Sequence, residues 1–295
     1  MIDSLNEAVA RAEEARCSLG EYALRQEAAE GLRSRTELEA GLQRALDVMR
    51  GAIARGLPGD LRSVSGLVGG DAAKLNRLTG PLSGTLFTDV LAGALAVQEV
   101  NAAMGVIVAA PTAGGAGVLP GVLLGLAGRG EFSDEALVRG LATAGLIGGV
   151  VALRASLSGA EGGCQAETGA AAAMAAGAGV EVLGGSPQMA AHGVALAMQG
   201  TLGLVCDPLG GLVEIPCVFR NATGAAIALA AIEMALAGIE FPIPADEVID
   251  TMGEIGRSMD VRYRETAGGG LAATPTGRRL AKDRLVQLKR SGKTT

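Results

Sequence analysis

The chain has 295 residues, 49% of them hydrophobic but only 2% aromatic, with no tryptophan and 46 glycines. That length is enough to bury a substantial core in one large or two modest domains, and so small-residue-rich a core has to gain stability through close helix–helix approach. The net charge of −6 argues against a nucleic-acid-binding protein, which normally presents a basic face.

In chain order, the opening MIDSLNEAVARAEEAR is acidic and amphipathic and has no apolar secretory core, so a cytoplasmic protein is expected. Residues 1–56 read as two charged amphipathic helices. Ser4 with Glu7 and Thr36 with Glu39 have capping-box spacing, and Leu38, Leu42, Ala45, Leu46 and Met49 follow at helical period. The stretch from Gly56 to Gly84 is rich in Gly, Ser and Pro and reads as a connector with short helical pieces. Helices are then predicted over about 85–109, 118–128, 134–157, 163–183, 187–204, 221–239 and 245–260. Ser133 and Ser186 suit N-caps, and Val248, Met252, Ile255 and Met259 mark one buried face. Period-two alternation is scarce. The expected fold is all-α, a multi-helix bundle with buried Ala/Gly-rich helices and few or no strands, with N-terminal helices at 1–56, a main helical domain at 57–277 and a basic tail at 278–295. The basic residues after Thr276, up to Lys293, read as a solvated terminal helix or a frayed end.

Three apolar runs raise the question of a membrane. Leu141–Leu153 is short and bounded by Arg139 and Arg154, 86–110 carries Asp89, Gln98, Glu99 and Asn101, and 222–239 contains Glu233. A span needs about 20 largely uncharged residues, so these read as buried helices.

Chemistry concentrates around three of the four cysteines. Cys164 lies in SGAEGGCQAETG at the expected start of a helix, where the dipole and free amides favour thiolate. Cys206 and Cys217 bracket DPLGGLVEIP, whose prolines and paired glycines forbid a continuous helix and let both sulfurs turn toward one point. Three thiolates without a fourth could hold a metal cluster and leave one metal position open to substrate. The spacing is neither a CxxC zinc pattern nor a ferredoxin run, and on spacing alone buried inert cysteines are the better reading. Cys17, in the charged N-terminal helix, reads as a packed, inert thiol.

APTAGGAGVLPG, from Ala110 to Gly121, fits neither a P-loop nor a dinucleotide fingerprint. Its glycines either form a nest of amides for a carboxylate or allow a tight helix–turn–helix. Lys74, in SGLVGGDAAKL, could form a Schiff base with pyridoxal phosphate, although a solvated lysine is the commoner case. His192, the single histidine, reads as packing or capping.

Taken together, APTAGGAGVLPGVLL, SGAEGGCQAETGAAAAMAA, GLVCDPLGGLVEIPC, RNATGA and RETAGGGLAATPTG resemble the alpha chain of iron–sulfur-dependent L-serine dehydratase (L-serine ammonia-lyase) of the two-subunit type, from about Ser65 to Gly277. The resemblance implies a 4Fe–4S cluster on Cys164, Cys206 and Cys217 with the fourth iron open, set in an all-helical bundle. It implies conversion of L-serine to pyruvate and ammonia, a role in L-serine catabolism and gluconeogenesis, and a separate beta chain as partner. Some single-chain relatives carry a C-terminal cysteine that occupies the open iron. This sequence ends SGKTT, with no cysteine after Cys217, so that device is expected to be missing.

On that reading the turn with Thr112, Gly114 and Gly115 is the candidate substrate-carboxylate cradle. Asn101 and Ser65 are further polar candidates, and Lys74 is this chain's candidate catalytic residue, which could hold the carboxylate or neutralise charge. The catalytic base is expected either on this chain or on the beta chain, whose family motif is rich in Ser and His. Competing readings are a pyridoxal-phosphate lyase through Lys74, a cluster-dependent lyase acting on cysteine, and a non-enzymatic helical scaffold or membrane protein.

Overall fold

The shortage of large side chains is met by bringing backbones together. The computed structural model describes residues 2–78, 85–130 and 132–290, and among these it contains thirteen α-helices and, in place of strands, one isolated parallel bridge between Cys206 and Arg264. The helices are α1 (Leu5–Glu14), α2 (Leu19–Ala29), α3 (Arg35–Gly56), α4 (Asp71–Asn76), α5 (Thr85–Ala102), α6 (Val118–Ala127), α7 (Asp134–Arg154), α8 (Gly159–Gly162), α9 (Ala170–Val182), α10 (Pro187–Gln199), α11 (Cys217–Leu236), α12 (Ala245–Ser258) and α13 (Pro275–Arg290). Residues 291–295, with Lys293 of the basic tail, lie outside the described residues.

Helix α9 is the axis of the bundle. All its residues except Glu181 are buried, and α6, α7, α10 and α11 pack around it. Alanine and glycine make this possible: a Cβ on Gly177 would lie 2.3 Å from Ile147 Cδ1. Such a run gains through contact density rather than area per side chain. Helices α7 and α11 are long and apolar enough to cross a membrane, yet both pack against α9, with 67% and 44% of their most apolar windows buried.

Several predicted boundaries move, each for a local reason. The N-terminal segment forms three helices rather than two, because Ser18 starts α2 by accepting from Glu21 N. Ser4 accepts from Glu7 N without the reciprocal bond, and the full capping box is Ser34 with Glu37, not Thr36 with Glu39; Glu39 instead meets Arg35 at 2.8 Å. Helix α5 stops at Ala102, where Gly105 N turns back to Val100 O and Met104 takes a left-handed conformation. The predicted 163–183 helix begins as a π-turn over Gln165–Gly169, and α11 starts at Cys217, directly after Pro216. Ser4, Ser133 and Ser186 cap their helices as predicted.

Carboxylates from distant elements close several helix starts. Asp246 accepts from Ser4 Oγ at 2.6 Å and Leu5 N at 2.8 Å, Glu181 from Ser18 Oγ at 2.6 Å and Gly20 N at 2.9 Å, and Glu99 from the amides of Gly70, Asp71 and Ala72. A carboxylate meets the free amides and the positive end of the helix dipole together, so each contact fixes one helix against another.

Candidate active site

Cys164 opens the π-turn that leads into α9. π-turns are rare and concentrate at functional sites. The adjacent Gln165 is fully buried and holds the turn from both sides: its Nε2 donates to Gly162 O and Met252 O, and its Oε1 accepts from Gly203 N at 2.8 Å. Cys206 sits in extended backbone, its N–H donating to Tyr263 O at 2.8 Å and its carbonyl accepting from Glu265 N at 2.9 Å. Cys217 is the first residue of α11. Three separate elements thus deliver three buried thiols to one region, while Cys17 is only half-buried at the α1–α2 junction.

The thiols interact strongly. A hydrogen bond from Cys206, with further help from Thr168 (Oγ1 3.2 Å from Sγ) and Arg220, pulls the Cys164 thiol down to about 6 against the pull of burial. Cys206 shifts upward in turn, through that same hydrogen bond and burial. Burial first, then the charges of Cys164 and Glu167, push Cys217 up to about 12. Among the described residues, no three His, Cys, Asp or Glu side chains close around a single ion. A cluster presents its irons at separate corners and needs its cysteines spread wider than one ion does.

Glu167, three residues after Cys164, is the acid of this site. Thr112 Oγ1 donates to its Oε1 at 2.6 Å, and Cys206 Sγ lies 3.9 Å from its Oε2. Burial raises its pKa to about 7, with the charge on Cys164 adding to the shift and the Thr112 hydrogen bond opposing it. A Cβ on Gly114 would come within 2.7 Å of Glu167 Oε1, and one on Gly159 within 2.6 Å of Oε2 and 3.1 Å of Cys206 Sγ. A side chain at either position would displace the Glu167 carboxyl from this place.

The predicted glycine turn is held against the cysteine helix by Asn221, which is fully buried. Its Nδ2 donates to Gly114 O at 2.7 Å and to Cys217 O at 2.9 Å, and its Oδ1 accepts from Gly117 N at 2.9 Å. Gln98 and Asn101 bond Ala113 O in the same turn at 2.8 and 3.1 Å. Ser65 joins through the Cys206–Cys217 loop: its N–H donates to Glu214 Oε1 at 2.9 Å, and its hydroxyl and that of Ser63 bond Glu214 Oε2. Arg220 pairs with buried Asp207 at 2.8 Å and donates to Val205 O. It also lines, with Thr168, Thr201, Leu204, Thr223 and Gly224, a cavity of about 530 Å³ beside this region. A larger cavity of about 620 Å³ between α2, α3 and α7 is mostly apolar, and none of the cysteines lines it.

Of the residues singled out in the sequence, Cys164, Cys206, Cys217, Thr112, Gly114, Gly115, Asn101 and Ser65 thus belong to one connected region. Lys74 sits on α4 with its side chain 77% exposed, paired with Asp71 at 2.7 Å. His192 accepts from Phe241 N at 3.2 Å and contacts Gln188. The sequence reading missed Glu167, Gln98, Glu214, Arg220 and Asn221. Two signals were there: Glu167 is an acid inside a small-residue run, and Asn221 follows Cys217 by one helical turn.

The family model described as "Serine dehydratase alpha chain" matches residues 14–272, which contain all of these residues. The chain belongs to this family. It is 54% identical over 240 residues to the "Probable L-serine dehydratase, alpha chain" of Bacillus subtilis, covering 80% of each. It is 46% identical over 204 residues to the "L-serine dehydratase, alpha chain" of Peptoniphilus asaccharolyticus, covering 69% of this chain and 70% of that one. With "L-serine dehydratase 2" of Escherichia coli the identity is 42% over 260 residues, covering 82% of this chain but 55% of that protein.

Proposed function

We propose that this chain is the cluster-bearing chain of an L-serine ammonia-lyase that converts L-serine to pyruvate and ammonia, with Cys164, Cys206 and Cys217 holding a 4Fe–4S cluster. The observation that carries this reading is the convergence of three buried, mutually interacting thiols from three elements beside Glu167 and the glycine turn. The donor set suits such a group: the Cys206 thiol is held protonated by its hydrogen bond with Cys164 and by burial, the Cys217 thiol by burial, and both by the charges of Cys164 and Glu167, and a cationic metal centre would favour their thiolates. Held by three cysteines, the cluster would supply an open, Lewis-acidic iron for the substrate hydroxyl.

The chain's own residues then have separable tasks. Thr112 fixes one oxygen of Glu167, leaving the carboxyl aimed between Gly159 and Cys206. That position makes Glu167 this chain's candidate to accept the substrate α-proton. Asn221 and Gln98 hold the turn with Gly114 and Gly115 against Glu167, and this turn is the candidate cradle for the substrate carboxylate. Arg220 supplies positive charge beside Cys164. The match to separate alpha chains of similar length, and to about half of a single-chain enzyme, supports a beta chain as partner.

The test is anaerobic purification with and without a candidate beta chain, followed by iron and sulfide analysis and a pyruvate assay. Iron and sulfide near 4:4 in the wild type, lost in Cys164→Ala, Cys206→Ala and Cys217→Ala but kept in Cys17→Ala, is the expected outcome. A full cluster in any of the first three would refute the ligand set. Glu167→Gln should keep its cluster and lower kcat by about 10²–10⁴-fold. Unchanged turnover would move the base to the second chain. Faster pyruvate release from L-cysteine than from L-serine would reassign the substrate.

A further inference from the structure

Behind the segment that carries Cys164 lies another cavity, of about 330 Å³. Its wall includes Ser156, Glu161, Gly162, Ala166, Arg257 and Arg264. Arg264 Nε is buried and has no hydrogen-bond partner, a condition folded proteins rarely tolerate. Neither Arg257 nor Arg264 forms an ion pair among the described residues. The Arg264 backbone is pinned by the pairing of Tyr263 and Glu265 with Cys206, and its side chain is partly buried, whereas Arg257 and Glu161 are exposed. Glu161 accepts a 2.6 Å hydrogen bond from Ser156 Oγ and, as a carboxylate, retains capacity for further donors.

Two guanidinium groups and one carboxylate around a small cavity are complementary to a zwitterion. We propose that this cavity binds a free α-amino acid, its carboxylate on Arg264 and Arg257 and its ammonium on Glu161. The volume is at the small end of ligand pockets, which suits a single amino acid. The assignment does not depend on the iron–sulfur reading. It does suggest a consequence for that site, because Gly162 and Ala166 flank Cys164 and a ligand here bears on the backbone that presents it.

The experiment is calorimetric titration of the full chain with L-alanine, which has no β-hydroxyl to lose, and separately with acetate and ethylamine as its two halves. Saturable one-to-one binding of L-alanine is expected, with both halves binding much more weakly. Arg264→Gln should raise the Kd by about tenfold, through the loss of a charge-assisted contact. Arg257→Gln and Glu161→Gln should act in the same direction, and Thr112→Ala should leave the Kd unchanged. Circular dichroism confirms that each variant is folded, and the three substitutions guard against failure of any one. A parallel titration with L-serine, the substrate of the proposed function, is read only through the variants: a Kd raised by Arg264→Gln and unchanged by Thr112→Ala supports the proposal, and the reverse pattern overturns it. It is overturned if neither amino acid binds saturably, if acetate binds as tightly as L-alanine, or if Thr112→Ala abolishes binding that Arg264→Gln leaves intact. It is equally overturned if Arg264→Gln weakens capture of a beta chain while L-alanine binding is untouched, since the cavity then receives a protein side chain. Iron content measured on the same samples keeps failure of the cluster reading distinguishable from failure of this one.

Discussion

At the scale of single residues, the Thr112–Glu167 contact separates positioning from chemistry. Thr112 donates to Oε1 at 2.6 Å and opposes the upward shift that burial imposes on the carboxyl. Thr112→Val keeps the shape and deletes the donor, so Glu167 gains a rotamer and loses its fixed aim. On the proposed function, kcat should fall about tenfold or more with a smaller change in KM, because positioning acts mainly in the transition state. Thr112→Ser should restore most of the rate, since it returns the hydroxyl. A serine variant as slow as the valine variant would show that packing, not the hydrogen bond, is what matters at this position.

At the scale of elements, the glycine turn, the cysteine loop and α11 behave as one assembly because Asn221 bonds all its members. Asn221→Ala leaves Gly117 N–H, Gly114 O and Cys217 O without that partner in a buried setting. A loss of about 2–4 kcal/mol is expected from urea unfolding, together with weaker iron retention, whereas Asn221→Asp should lose the two donated bonds and keep the two accepted ones, from Gly117 N and Gln98 Nε2. Equal stability for the alanine variant and the wild type would remove Asn221 from this role. This linkage also shows what the sequence could and could not reveal. Helix type was legible throughout, because a 3.6-residue period and serine caps are local signals; the three thiols and the glycine turn were legible because cysteine, glycine and proline constrain backbone and chemistry together. Asn221, Glu214 and Arg220 were not, since each draws its meaning from partners on distant elements. Glu214 acts through Ser63 and Ser65, 151 and 149 residues away. The two-helix reading of residues 1–56 failed at Ser18 because its hydroxyl competes for the helix start while Glu181, far along the chain, rewards that choice.

At the scale of the whole molecule, the N-terminal helices are attached to the α9-centred bundle by charge as well as by apolar packing. Arg35 of α3 holds Glu21 of α2 through two 2.7 Å hydrogen bonds and lowers its carboxyl to about 2, with Arg25 assisting. Arg50 of α3 likewise meets Asp134 at the start of α7 and, with Gln43, lowers it to about 2. A carboxyl depressed in the folded state binds fewer protons there than in the unfolded chain. Its contribution is therefore complete above the ordinary carboxylate range, near 4.5, and is lost as pH falls toward 2. Arg35 keeps 42% of its side-chain surface in water, so the Glu21 pair should contribute only about 0.5–1 kcal/mol. Glu21→Gln should accordingly be less stable than wild type by that amount in urea unfolding at neutral pH. The gap should close as pH drops from about 4.5 toward 2, and it should shrink in about 1 M salt, where the Debye length is near 3 Å. A gap of the same size at pH 2 and at pH 7 would mean that Glu21 stabilises this junction through the packing of its stem rather than through its charge.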